Sequence, residues 1–295
     1  ARSNEMSVTK RKKLQMFLLC VTPALLLYAY FILIPFCKTF FYSFTDWNGM
    51  TPTYNYIGLK NFVKLFEDDL VLKSLSNNMK FCIVGGILTF VIAIFNAVVL
   101  TQSKLSLREK QFCRVAFFVP NIISTAIVAV IWTFIYNPNW GVLNGILDFL
   151  KLSDWRHTWL GEKETVVNAV MVPWVWAAVG FYMVMFISAI ESVPRDVYDA
   201  AKIDGANLWS TFWSVTFPLI LETVKTSLVF FFINAFSGIF VLVSVMTDGK
   251  PSNASEVITN YMYKQAFGRS KFGYSTAIGV FVVMIVFAAS GLLML

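Results

Sequence analysis

The chain has 295 residues, of which 57% are hydrophobic and only 14% charged, and its mean hydropathy is +0.66. A soluble chain of this size carries about a quarter charged residues, so an ordinary soluble enzyme is excluded. The formal charge of +7 does not point to nucleic acid, because the basic residues flank apolar runs, where they act as topology determinants and headgroup contacts.

Several apolar runs reach the ~20 residues that a helix needs to cross a ~30 Å hydrocarbon core. The alternation of a membrane β-barrel is absent. The sequence predicts an all-α, polytopic membrane protein with six transmembrane helices. Residues 1–13 form a basic amino terminus and residues 14–295 a single membrane domain.

Ala1 to Glu5 precede Met6 and are set aside. Lys10-Arg11-Lys12-Lys13 abuts the first apolar run, Leu14 to about Tyr42. That run is longer and more aromatic than the core of a signal peptide, so it reads as a retained span, with Lys38 able to snorkel from its far end. Asp46 to Asn78 begins turn-rich and then turns amphipathic, with Leu59, Phe62, Val63 and Phe66 at helical spacing, which predicts a small external cap with a surface helix. The second span is predicted over Phe81–Leu100. A short basic loop follows with Lys104, Arg108, Lys110 and Arg114. The third span, Val115 to about Tyr136, contains Pro120-Asn121, and a longer polar loop runs from Asn137 to Glu164. The fourth span, Val166–Ile190, contains Pro173. The fifth is Leu219–Val245, and the sixth starts near Tyr274. The sequence ends at Leu295 inside an apolar run, which leaves a cytosolic tail expected beyond it.

Basic residues divide evenly between the two sides of this topology. The cluster before the first span dominates orientation, which puts the amino terminus in the cytoplasm of a cell-membrane protein. Six spans then place the polar stretch 191–218 in the cytoplasm as well. Arg195, Asp196, Asp199, Lys202 and Asp204 keep this stretch out of hydrocarbon. Ser192 suits a helix cap and Pro194 a first turn, Asp204-Gly205 breaks the helix, and Asn207–Val215 reads as a second short helix before Pro218 opens the next span. Such a helix-turn-helix, with Leu208, Phe212 and Val215 as an apolar face, is a docking element.

No other chemistry stands out. Cys20, Cys37, Cys82 and Cys113 have neither zinc nor disulfide spacing, His157 is the single histidine, and no metal site is expected. Gly249-Lys250-Pro251 is not a phosphate loop, so no cofactor is expected in this chain.

The polar stretch resembles the Glu-Ala-Ala loop of importer-type ATP-binding-cassette (ABC) permeases. The intervals of that pattern are kept by Asp199-Ala200-Ala201, Gly205, Val215 and Phe217-Pro218, with Asp in place of Glu, Val in place of Ile and Phe in place of Leu. Tyr56–Asp68, Phe117–Asn144 and Thr247–Phe267 are similar to segments of the sugar-transporting branch, the relatives of maltose and glycerol-phosphate permeases, and in particular to the first permease of the pair. In the last of these segments Lys250 stands where the family usually has a second glycine.

The resemblance implies a type I importer fold with a coupling helix between spans four and five. It also implies a non-catalytic subunit that works with a second sugar permease, a cytosolic ATPase dimer that binds ATP and Mg, an extracytoplasmic sugar-binding protein and the lipid bilayer. Asp199, Ala200, Ala201, Gly205, Leu208, Phe212, Val215 and Pro218 would then meet the ATPase. Family position further implies a substrate path through spans three to five. Asn121, Ser124 and Trp132 would line it from one helical face, Trp174 and Tyr182 from a second, and Phe230, Asn234 and Ser237 from a third. An ion-coupled secondary sugar transporter is the alternative. It needs an ionisable group deep in the bilayer, and none of the carboxylates falls mid-span.

Overall fold

Apolar runs in hydrocarbon must satisfy their own backbone, and helices do so within one segment. The computed structural model describes residues 2–103 and 105–294, with the side chains of residues 2–11 and 14 outside the described set. Arg2, Lys10, Arg11, Leu14, Lys104 and Leu295, on which parts of the topology reading rest, therefore lie wholly or in their side chains outside the described residues.

In chain order the helices are α1 (Arg2–Tyr28), α2 (Ile34–Tyr42), α3 (Lys60–Glu67), α4 (Asp69–Lys80), α5 (Gly86–Gln102), α6 (Leu107–Ile122), α7 (Thr125–Ile135), α8 (Val142–Phe149), α9 (Val166–Glu191), α10 (Arg195–Ile203), α11 (Leu208–Thr211), α12 (Phe217–Ser237), α13 (Ile239–Met246), α14 (Ile258–Tyr263) and α15 (Phe272–Met294). π-helical turns join α1 to α2, α4 to α5, and α11 to α12. Among the described residues, five continuous helices are long and apolar enough to span a membrane: Gln15–Tyr42, Asp69–Gln102, Val166–Glu191, Leu208–Met246 and Phe272–Met294. The expected third span is instead a bent pair, α6 and α7, which meet at 97°.

The chain divides into two compact units. The first contains residues 1–65 and 265–281. Its polar segment folds back on itself: Tyr56 bridges to Thr45, and both Asp46 carboxylate oxygens accept from Asn55. Trp47 stacks on Tyr42 at 4.2 Å and packs against Phe272. The surface helix exists, but not with the expected face inward. Leu59, Val63 and Phe66 are exposed, whereas Asn61 and Leu65 are buried. Asn61 goes inside because its amide donates to the carbonyls of Ser43 and Thr45, at 2.9 and 2.8 Å, which would otherwise lack donors.

The second unit contains residues 66–264 and 282–295. Asp68 caps α4 by accepting from Leu70 N, so the second span begins a dozen residues before Phe81. Asn78 is fully buried; it donates to Ala235 O and accepts from Ile258 N, tying α4 to α12 and α14. Its neighbour Asn77 donates to Ala254 O and Glu256 O. Glu256 is 1% exposed; Lys264 compensates its charge at 2.8 Å and the Asn260 amide donates to its other oxygen. Side-chain amides and the ion pairs of Lys264 with Glu256 and Asp248 thus hold the 247–264 loop where no regular backbone pairing is available.

Two apolar clusters fill this unit. One gathers Val128, Val170, Leu242 and Val243, and the other Phe90, Tyr182, Phe186 and Phe231; Trp174 packs against both. Gly180 permits the close crossing of α6 and α9, since a Cβ there would stand 2.0 Å from the Phe117 carbonyl oxygen.

Candidate functional site

The 191–218 stretch is closed by hydrogen bonds at each of its turns. Ser192 is not the expected cap. It closes α9, donating through Oγ to Ala189 O, and Pro194 occupies the position before α10. Helix α10 ends on a paired backbone closure: Ala206 N donates to Ala201 O and Gly205 N to Lys202 O, both at 3.0 Å. That closure requires the left-handed conformation at Gly205, whose φ is +77°. Nothing lies within 4 Å of a Cβ built there, so the glycine is required by the backbone alone and not by crowding. Asn207 then caps the next helix, accepting from Ser210 N at 2.8 Å.

That second helix does not stop at Val215. It passes through a π-helical turn, Phe212–Thr216, into α12, with Pro218 in the first turn of the latter. Proline lacks an N–H, and the widened turn accommodates the carbonyl it would have served. The docking segment is therefore continuous with the long helix Leu208–Met246.

Its exposed surface carries large apolar side chains beside its charges. Ile203 is 87% exposed, and Leu208 and Trp209 are each 71% exposed. Trp213 is also exposed and lies 5.7 Å from Trp209. Phe212 and Val215, expected on this face, are half-buried, and Phe212 packs on Trp213 and Phe217. Ile203, Trp209 and Trp213 were not among the expected contact residues, although the tryptophans recur at i and i+4. Ala201 is buried and Ala200 exposed. Asp199 is exposed and pairs with Lys202 at 2.9 Å. The hydrogen bond and charge of Lys202 hold its carboxyl below the ordinary value of 3.8.

A cleft of about 310 Å³ opens among α6, α7, α9, α12 and α13. Asn121, Trp174, Tyr182 and Asn234 line it, as do Pro120, Phe181 and Phe231. Ser124, Trp132, Phe230 and Ser237 do not. The bend between α6 and α7 separates Asn121 from Trp132, so the two share no helical face; Trp132 packs on Tyr136 and Trp176 instead. Phe230 is exposed elsewhere on α12, and the Ser237 hydroxyl donates to Ile233 O. The Asn234 amide donates to Phe230 O in its own helix, whereas the Asn121 amide reaches across to Ala177 O at 3.3 Å. Trp174 Nε1 has no partner among the described atoms. The cleft offers aromatic faces and amides and is lined by no charged side chain, a chemistry suited to a neutral polyhydroxyl ligand.

Residues 90–295 match the family of binding-protein-dependent transport system inner membrane components. The diacetylchitobiose uptake system permease protein NgcF of Streptomyces coelicolor is 38% identical over 92% of this chain and 80% of its own length. The probable starch degradation products transport system permease protein AmyD of Thermoanaerobacterium thermosulfurigenes is 34% identical over 91% and 89%. A chain of a bacterial ABC transporter that imports the acidic polysaccharide alginate superposes with a TM-score of 0.83 over 98% of both chains at 22% identity, which speaks to the fold. A second structure of an alginate transporter, in complex with its oligosaccharide-bound periplasmic protein, gives 0.85 over 97% and 94% at 20% identity. This chain belongs to the family of binding-protein-dependent transport system inner membrane components.

Proposed function

We propose that the chain is the permease subunit of an ATP-driven importer that carries an uncharged sugar or oligosaccharide across the cell membrane, with its amino terminus and the 191–218 loop in the cytoplasm. The observation that carries this reading is the loop: a helix closed at Gly205 beside a cap at Asn207, presenting Ile203, Leu208, Trp209 and Trp213 outward. Exposed apolar side chains of this size on a hydrogen-bonded corner are a binding surface. The partner that fits is a cytosolic ATPase, which binds ATP and Mg and whose closure moves the corner. Asp199 then meets a basic residue of that ATPase. A second permease completes the path, and an extracytoplasmic binding protein delivers the sugar, as the periplasmic protein in complex with the alginate transporter suggests for the latter. Asn121, Trp174, Tyr182 and Asn234 form this chain's share of the substrate path. The absence of charge in the cleft lining favours a neutral sugar over an acidic one.

The test is reconstitution in liposomes with the cognate ATPase, second permease and binding protein. Uptake of diacetylchitobiose, maltotriose and alginate pentasaccharide is measured with and without internal ATP. ATP-dependent uptake of a neutral sugar is expected. Uptake by the chain alone, driven by a proton or sodium gradient, would establish the ion-coupled alternative instead.

A further inference from the structure

Helix α6 packs along α9, and three of the contacts between them mark its length. Asn121 donates to Ala177 O, the Phe117 backbone rests against Gly180, and Arg114 pairs with Glu191. The first two lie beside the cleft. The third lies at the opposite end of the seam, where α9 gives way to α10 through only Ser192, Val193 and Pro194. The first two of these are themselves tied back, Ser192 to Ala189 and Val193 to Ile190. Any displacement of α10 thus arrives at Glu191 through a short, hydrogen-bonded elbow. On the other partner, Arg114 is seven residues before Asn121 in the same helix, about 10 Å along its axis.

We propose that Arg114 and Glu191 are positioning residues that make α6 follow the α9–α10 corner, so that movement of the corner reaches the wall of the cleft. The pair is suited to this by its chemistry. Its side chains are 35% and 52% exposed, and an ion pair in such surroundings adds little to stability. A guanidinium and a carboxylate nonetheless fix direction as well as distance. Arg114 Nε is buried with no partner among the described atoms, so the guanidinium is drawn into the seam and held there by its outer nitrogen alone. Lys110, one turn earlier on α6, reaches Thr101 O at the end of α5, so the same stretch of α6 is also steered from its other side.

The proposal rests on the transport reading above, and its test separates the two. In a cysteine-free background, spin labels at Gln111→Cys on α6 and Asp196→Cys on α10 report their separation in the full chain in nanodiscs, with no substrate or partner needed. A narrow distance distribution is expected. It broadens in Arg114→Gln and in Glu191→Gln, and narrows again in the Arg114→Glu/Glu191→Arg exchange. In the reconstituted complex, the ratio of sugar-stimulated to basal ATP hydrolysis should fall at least about 5-fold in each single variant and recover in the exchange, using whichever sugar of the panel stimulates the parent complex. Unchanged distributions, or an exchange no better than the single variants, would overturn the pairing. Changed distributions with an unchanged hydrolysis ratio would overturn the positioning role. A parent complex that responds to no sugar counts against the transport reading, and leaves the pairing to be decided by the distances.

Discussion

Lys202 Nζ donates to Asp199 Oδ1 at 2.9 Å, one turn apart on α10, so the acidic residue at the head of the loop already has a partner within its own chain. Both side chains are well exposed, so the bond is exchangeable and an incoming basic residue can take it over.

This pair predicts a titration. The Asp199 carboxyl sits below its ordinary value of 3.8, first because of the Lys202 hydrogen bond and then because of its charge. A depressed carboxyl pKa means that the pair's contribution is complete above the ordinary value and is lost as pH falls through the lower, folded value. Lys202→Ala should move the Asp199 titration upward toward 3.8, read by carboxyl 13C NMR on the labelled chain in detergent micelles.

Gly205 predicts a graded series. Its φ of +77° is open to glycine, tolerated by asparagine and unfavourable for β-branched residues, at a cost of roughly 1–2 kcal/mol. Because a Cβ meets nothing there, the chain should still fold in every case. Gly205→Asn should transport close to the parent rate. Gly205→Val should hydrolyse ATP in the reconstituted complex with little sugar uptake, and coupled transport by Gly205→Val would remove the corner from the mechanism.

Two asparagines on neighbouring helices should respond differently to leucine. Asn78 is buried and serves Ala235 O and Ile258 N on other segments, so Asn78→Leu orphans groups worth about 1–3 kcal/mol each. Asn234 is bonded only to the preceding turn of its own helix. Melting temperature in detergent should therefore drop clearly for Asn78→Leu and barely for Asn234→Leu. The latter should instead blunt sugar-stimulated ATP hydrolysis.

The aromatic residues divide in a similar way. Trp174 lines the cleft 6.2 Å from Phe231, whereas Phe230, on the adjacent position of α12, points away from it. Trp174→Phe keeps much of the packing between the two apolar clusters but removes Nε1. It should weaken the sugar response by several-fold, within the ~1–3 kcal/mol of a lost polar contact, while Phe230→Ala leaves the response unchanged. Equal effects in the two variants would move the sugar contact off the cleft.

Apolar run length and helical punctuation were legible without coordinates. The runs that became the spans, the break at Gly205 and the polar character of 191–218 follow from short-range chemistry: transfer of side chains to hydrocarbon, and the left-handed conformation that glycine permits. Where the expectations failed, a neighbour distant in sequence decided in one case and a local departure of the backbone from a regular α-helix in the others. Asn61 displaced Leu59, Val63 and Phe66 from the inner face of α3 because two carbonyls of the preceding turn needed a donor. Trp132 left the face of Asn121 because the chain bends at Ile123-Ser124. Val215 did not end a helix because a π-helical turn carried the helix through Pro218.

By itself the sequence determined that this is a membrane-spanning helical chain with one polar, turn-broken segment between its fourth and fifth apolar runs, since those properties are sums over local residues. Only the tertiary structure decided what that segment is attached to. It fused α11 to α12. It also brought Arg114, 77 positions away in the chain, to the last residue of α9. The physical reason is that an ion pair, an amide reaching a carbonyl or a glycine admitting a backbone depends on where two helices cross. Gly180 permits that crossing, but the packing of α6 on α9 is what sets it.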